Sequence, residues 1–142
     1  MENAFCHNPP QDRWKGISAM RQAIVREHIF QFLWETYHVK PEYLWEKYPE
    51  DAIFRNPTSQ KWFALFMEVS GRKIGFHNET CIKILNVKCD PQLLGSLLLK
   101  PGFFPAYHMN KLHWLTILLN GTVTEDEIFL LLDTSYTLTK KK

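Results

Sequence analysis

A chain of 142 residues is the size of one domain, and 45% apolar with 14% aromatic residues supplies a packed core, which excludes a disordered chain. No apolar run approaches the roughly 20 residues that span a bilayer, and Met1 to Pro10 lacks the pattern of a secretory signal, so no membrane role is expected. The net charge of +2 hides an uneven distribution: residues 61–113 hold seven Lys/Arg against three Asp/Glu, still short of a dedicated nucleic-acid binder.

Residues 1–16, with Pro9-Pro10 and no apolar period, are expected to form a mobile extension, and residues 17–142 a single domain. Ser18 is placed to cap a helix that runs to about His38. Its apolar residues fall on two sides, Met20, Ala23, Phe30, Trp34 and Tyr37 on one and Val25, Ile29 and Phe32 on the other. Such a helix is either deeply buried or shared with a partner. Ala52 to Arg55 reads as a short strand and residues 56–59 as a turn. Lys61 to Ser70 is the clearest strand. Alternation puts Phe63, Leu65, Met67 and Val69 on one face and Trp62, Ala64 and Phe66 on the other, as in a central strand covered on both sides. Gly71 then turns the chain and presents Arg72 and Lys73 near a hairpin tip.

Ile82 to Cys89 is a further strand, with Leu85, Val87 and Cys89 inward and Asn86 and Lys88 outward. Asp90-Pro91 supplies a cap and a first-turn proline for a short helix that stops at Pro101-Gly102. His113 to Asn120 is the last strand, closed by Asn120-Gly121. Thr124 and Glu127 form a capping box for a final helix that buries Ile128, Leu131, Leu132 and Tyr136. The order of helix, strands, helix, strand, helix lacks βα alternation. It predicts an α+β fold, an antiparallel sheet with helices packed mainly on one face.

The densest polar segment is residues 101–114, where two prolines and several aromatics surround His108, Asn110, Lys111 and His113. Such a loop can offer Lys111 to a phosphate and Asn110 or a histidine to a base edge. The competing reading is that Asn110 and the histidines bond to the loop's own backbone. Basic residues also stand beside aromatics at Lys61-Trp62, and Arg72-Lys73 occupies the hairpin. Cations there reach phosphates or simply solvate a sheet edge.

No phosphate-binding loop, dinucleotide glycine pattern, G-x-S-x-G or H-E-x-x-H motif is present, so no catalytic residue, metal or cofactor is assigned. Cys6, Cys81 and Cys89 form no C-x-x-C pair. On one strand Cys81 and Cys89 lie roughly 26 Å apart, too far to bridge, and three reduced thiols in a cytoplasm are expected.

The stretches AYHMNKLHW (106–114), DTSY (133–136), VKCDP (87–91), YPEDAIF and KWFALF together resemble the YjbR/MmcQ family of small bacterial proteins. Tyr107, His108, Asn110, Lys111, His113, Trp114, Ser135 and Tyr136 match its pattern. The resemblance implies a frataxin-like α+β fold and a DNA-binding role. The expectation is a non-enzymatic cytoplasmic protein that binds double-stranded DNA weakly and without sequence preference. Lys61, Arg72, Lys73, His108, Asn110, Lys111 and His113 would make the contacts, with Tyr107, Trp114, Ser135 and Tyr136 as a structural motif. The alternative is a protein-interaction or self-association module, such as a homodimer, that uses the first helix. A small-ligand or metal carrier comes third.

Overall fold

The computed structural model describes residues 13–77 and 79–141, with side chains from residue 25 onward. Its order is α1 (Arg13–Tyr37), β1 (Ala52–Arg55), β2 (Trp62–Ser70), β3 (Cys81–Lys88), α2 (Pro91–Leu98), β4 (Phe103–Pro105), β5 (Trp114–Leu118) and α3 (Glu125–Leu138). The five strands form one sheet in the order β1-β2-β3-β5-β4, and every pairing is antiparallel. This is the expected α+β architecture.

Local chemistry accounts for the element ends. The Asp90 carboxylate accepts the Gln92 N–H at 2.9 Å and Pro91 opens α2, while the Thr124 hydroxyl accepts the Glu127 N–H at 3.2 Å and opens α3. Gly102 sits at φ +89°, and a Cβ there would lie 2.6 Å from a Val123 methyl, so the turn after α2 requires glycine twice over. Ser18 is not a cap, because α1 begins at Arg13; residues 1–12 of the expected extension lie outside the described residues.

All three helices lie on one face of the sheet. Ile29 and Leu33 of α1, Leu94 of α2, and Ile128 and Leu132 of α3 share one buried cluster with Phe54, Phe66, Leu85 and Ile117 of the strands. The two-sided apolar pattern of α1 is largely absorbed there, because Phe30, Phe32 and Tyr37 also pack against that cluster. Trp34 departs from the expected stripe and stays 46% exposed. The opposite face carries a smaller cluster of Val69, Ile82, Ile84 and Leu118, covered by Phe76, Phe104 and Tyr107.

The strict alternation expected for β2 fails at one residue. Phe54 pairs with Ala64 but Arg55 pairs with Trp62, so Phe63 is the extra residue of a β-bulge. Phe63 therefore joins Ala64 and Phe66 in the helix-side cluster, and Trp62 turns to the open face with Leu65 and Met67. The Ser135 hydroxyl of α3 stabilises this kink. It donates to the Phe63 carbonyl at 2.6 Å and accepts the Lys88 N–H at 2.8 Å, standing between two strands where a ladder bond would otherwise form.

The expectation of three reduced thiols is also corrected. Cys81 is disulfide-bonded, whereas Cys89 is free and buried. Strand length excludes only the pairing of these two with each other. No helix among the described residues is long and apolar enough to cross a membrane.

Candidate functional site

The motif loop, residues 106–113, crosses the open face of the sheet and is held from beneath. Asn86 is fully buried there, not outward to solvent as alternation predicts, because the loop covers it. Its amide donates to the Tyr107 carbonyl at 2.9 Å, and its side-chain oxygen accepts the Thr116 hydroxyl. Thr116 in turn accepts the Tyr107 N–H at 2.9 Å. A buried amide and a buried hydroxyl thus satisfy each other and fix the start of the loop.

Asn110 stabilises the loop from within. Its side-chain oxygen accepts the Leu112 N–H at 2.8 Å, and its carbonyl accepts the N–H groups of His113 and Trp114. Lys111 folds back, its Nζ donating to the Ala106 carbonyl at 3.0 Å. The histidines do not play the part expected of them: both are exposed, and neither ring makes a hydrogen bond among the described residues. His108 instead occupies φ +60°, a left-handed conformation costly for a side-chain-bearing residue, and its ring lies 4.0 Å from that of Tyr107.

Two cavities flank the loop, and their chemistry is opposite. One, of about 220 Å³, is lined by Lys73 and Ile74 from the β2–β3 connection and by Phe104, Tyr107 and Lys111. The other, of about 260 Å³, is lined by Trp45, Tyr48, Asp51 and Trp62. Leu65 and Met67 form its floor, and His108 and Met109 reach it from the loop. Asp51 is only 3% exposed, and one carboxylate oxygen accepts the Glu68 N–H at 3.2 Å. Burial pushes its carboxyl up to about 6; the Glu68 N–H opposes that rise, and the Glu68 and Glu50 carboxylates add to it.

The remaining expected contact residues are scattered. Arg72 is exposed beside Lys73. Lys61 precedes β2 at its other end, roughly 26 Å away along the strand. His113 leads into β5, where its carbonyl accepts the Cys89 N–H, and Trp114 is buried opposite Lys88. Ser135 and Tyr136 lie across the sheet, on the helix side, where Tyr136 stacks on Tyr37 at 3.9 Å. The local cation excess is partly used internally: Lys83 pairs with Glu68 at 3.2 Å and Lys100 with Glu127. Sequence reasoning passed over Trp45, Tyr48 and Asp51. Their signal was aromatics alternating with acids in YLWEKYPED, a segment with no strand or helix period.

Known proteins share this fold. The YjbR family model matches residues 34–138. The chain belongs to the YjbR family. It is 41% identical over 117 residues to the uncharacterized protein YyaQ of Bacillus subtilis (strain 168), a match over 82% of this chain and 99% of the relative. A crystal structure of a Pseudomonas syringae protein superposes with a TM-score of 0.78 at 42% identity, over 80% of this chain and 97% of that one. The Deinococcus radiodurans protein DR2400 gives a TM-score of 0.62 at 27% identity, over 82% of this chain and 78% of that one. The matched span includes the motif loop, both flanking cavities and the Ser135 bridge.

Proposed function

We propose that this YjbR-family chain is a non-catalytic protein that binds the phosphate backbone of double-stranded DNA, weakly and without sequence preference, through Arg72, Lys73 and Lys111. The observation that carries this reading is the convergence of Lys73 and Lys111 on one cavity, with Tyr107 and Phe104 beside them. Cations set against aromatic rings suit phosphate contact next to a stacking surface. Lys61 and His113 are left out of the contact set by their positions. A non-catalytic role is supported by the state of the thiols: burial, with Asp90 adding to it, pushes the Cys89 thiol up, away from the thiolate a nucleophile needs, and Cys81 is already bonded.

Fluorescence anisotropy with two unrelated duplexes tests the proposal. About three phosphate contacts give a slope of log affinity against log salt near −2.7, so affinity falls about 40-fold between roughly 50 and 200 mM salt. Arg72→Glu, on the exposed connection, is expected to weaken both duplexes equally and to make the slope shallower by about 1. No binding at low salt with protein near about 100 μM, a level that reaches typical non-specific affinities, overturns the reading.

A further inference from the structure

The second cavity is unsuited to a phosphate, and its chemistry points elsewhere. We propose that the cavity between Trp45, Trp62 and Asp51 binds a small organic cation bearing an alkylated ammonium group. This goes beyond the DNA reading and uses none of its cations. The indole rings of Trp45 and Trp62 stand 6.1 Å apart at 89°, so they form two walls of a corner, and Tyr48 adds a third ring. Three aromatics around a carboxylate are the arrangement that recognises alkylated ammonium ions, through attraction of the charge to ring faces.

Asp51 sets the sign of the ligand. It is buried, and among the described residues Tyr48, Glu50, His108 and Glu68, the last paired with Lys83, are the titratable groups around it. Among the described residues that line the cavity, none is a lysine or arginine. Keeping this carboxylate out of water is unfavourable, as its raised pKa shows, and a bound cation offsets that cost.

Size and shape narrow the class. About 260 Å³ lies just below the roughly 300–1,000 Å³ of pockets for drug-sized ligands, so a small cation fits where a nucleotide does not. Perpendicular walls do not sandwich a flat base, and a carboxylate repels phosphate. A hard metal ion is equally ill served, because one carboxylate and one imidazole among indoles and two thioethers do not make an oxygen-rich ligand set. An unalkylated ammonium is compact and strongly hydrated and needs several acceptors; an alkylated one loses less hydration on entering aromatic walls.

The test titrates the full chain with choline chloride and, in parallel, with 3,3-dimethyl-1-butanol, its uncharged carbon isostere, at constant ionic strength. Intrinsic tryptophan fluorescence, to which Trp45 and Trp62 contribute two of the five indoles, reports occupancy. Choline is expected to give a saturable change with affinity at least about tenfold above the isostere, the margin a desolvated cation–aromatic contact confers. Asp51→Asn, which keeps an acceptor for the Glu68 N–H and leaves the aromatic walls intact, is expected to weaken choline binding and narrow that margin. Equal response to the two compounds, or no saturation by choline up to about 50 mM, where even a weak site fills, overturns the proposal. So does unchanged choline affinity in a folded Asp51→Asn protein. The two-ligand comparison uses the unaltered chain and holds even where a variant fails to fold.

Discussion

On the helix-covered face of the sheet, Phe54, Phe63, Phe66, Leu85 and Ile117 are fully buried against Ile29, Ile128 and Leu132. Polar groups on that side, Ser135 and Asn56, are bonded to backbone: Ser135 to Phe63 and Lys88, Asn56 to Tyr136 and Thr58. On the other face Asp51, Asn86 and Thr116 are buried beneath a loop, next to two cavities. The first face maximises burial and bonds Ser135 and Asn56 to backbone, although the buried Arg26 Nε over Phe30 and Phe66 has no hydrogen-bond partner among the described residues. The second keeps open volume and one buried carboxylate. Open volume and a desolvated charge both oppose folding, so they mark the face where recognition is expected.

The largest effect that sharpens this contrast is in the helix-side cluster. Phe66→Ala removes a fully buried ring that meets Phe30 edge-on at 5.7 Å and lies under the Arg26 guanidinium at 5.1 Å. It is expected to cost about 3–5 kcal/mol in urea melts with the slope unchanged. Met67→Ala, one residue along and on the cavity side, is expected to cost about 1 kcal/mol, because its half-buried side chain leaves less to lose. Equal losses at the two positions break the division of labour between the faces.

A smaller effect of opposite sign is expected at Asp51. Its folded pKa of about 6 exceeds the ordinary value of 3.8, so the folded chain holds this proton to higher pH than the unfolded chain does. The cost of burying the charge is complete above about pH 6, fades as pH falls toward 4, and is absent below it. Asp51→Asn is therefore expected to stabilise the protein by about 1–3 kcal/mol at pH 7.5, with the gain gone near pH 4. Chemical denaturation across that range measures it. A variant less stable at pH 7.5 shows that Asp51 serves the fold, and then the buried charge needs no ligand to explain it.

The caps at Asp90 and Thr124, the strand at residues 62–70 and the buried face of α3 were legible in the sequence because each depends on neighbours within a few residues. What escaped depends on contacts from far along the chain. Alternation in KWFALF contains no sign of a bulge at Phe63, since the kink is held by Ser135 on the last helix. Asn86 reads as a solvent-facing strand residue until the loop from β4 to β5 folds over it. Cys81 looked unpaired because only its spacing from Cys89 was decisive. The loop itself was recognisable from its residue types, but its division between a basic cavity and an acidic aromatic one arises from segments that meet only in three dimensions.

The smallest expected effect decides what holds the motif loop. A buried amide left without partners costs about 1–3 kcal/mol, but Asn110 is exposed, and only its side-chain bond to the Leu112 N–H is lost on substitution by alanine. The carbonyl that accepts from His113 and Trp114 remains. Asn110→Ala is therefore expected to cost about 0.5–1 kcal/mol, and Asn110→Asp, which keeps an acceptor, to restore most of it. Urea melts of both variants beside the parent chain measure the difference. A loss near 3 kcal/mol, as large as that expected of a buried network, contradicts anchoring by Asn86 and Thr116 from below. An unchanged midpoint with altered duplex affinity assigns Asn110 to ligand contact. The expected small, rescuable loss leaves the loop a surface fastened to the sheet at its buried end, with Lys111 on one side and His108 on the other held in place whichever cavity is occupied.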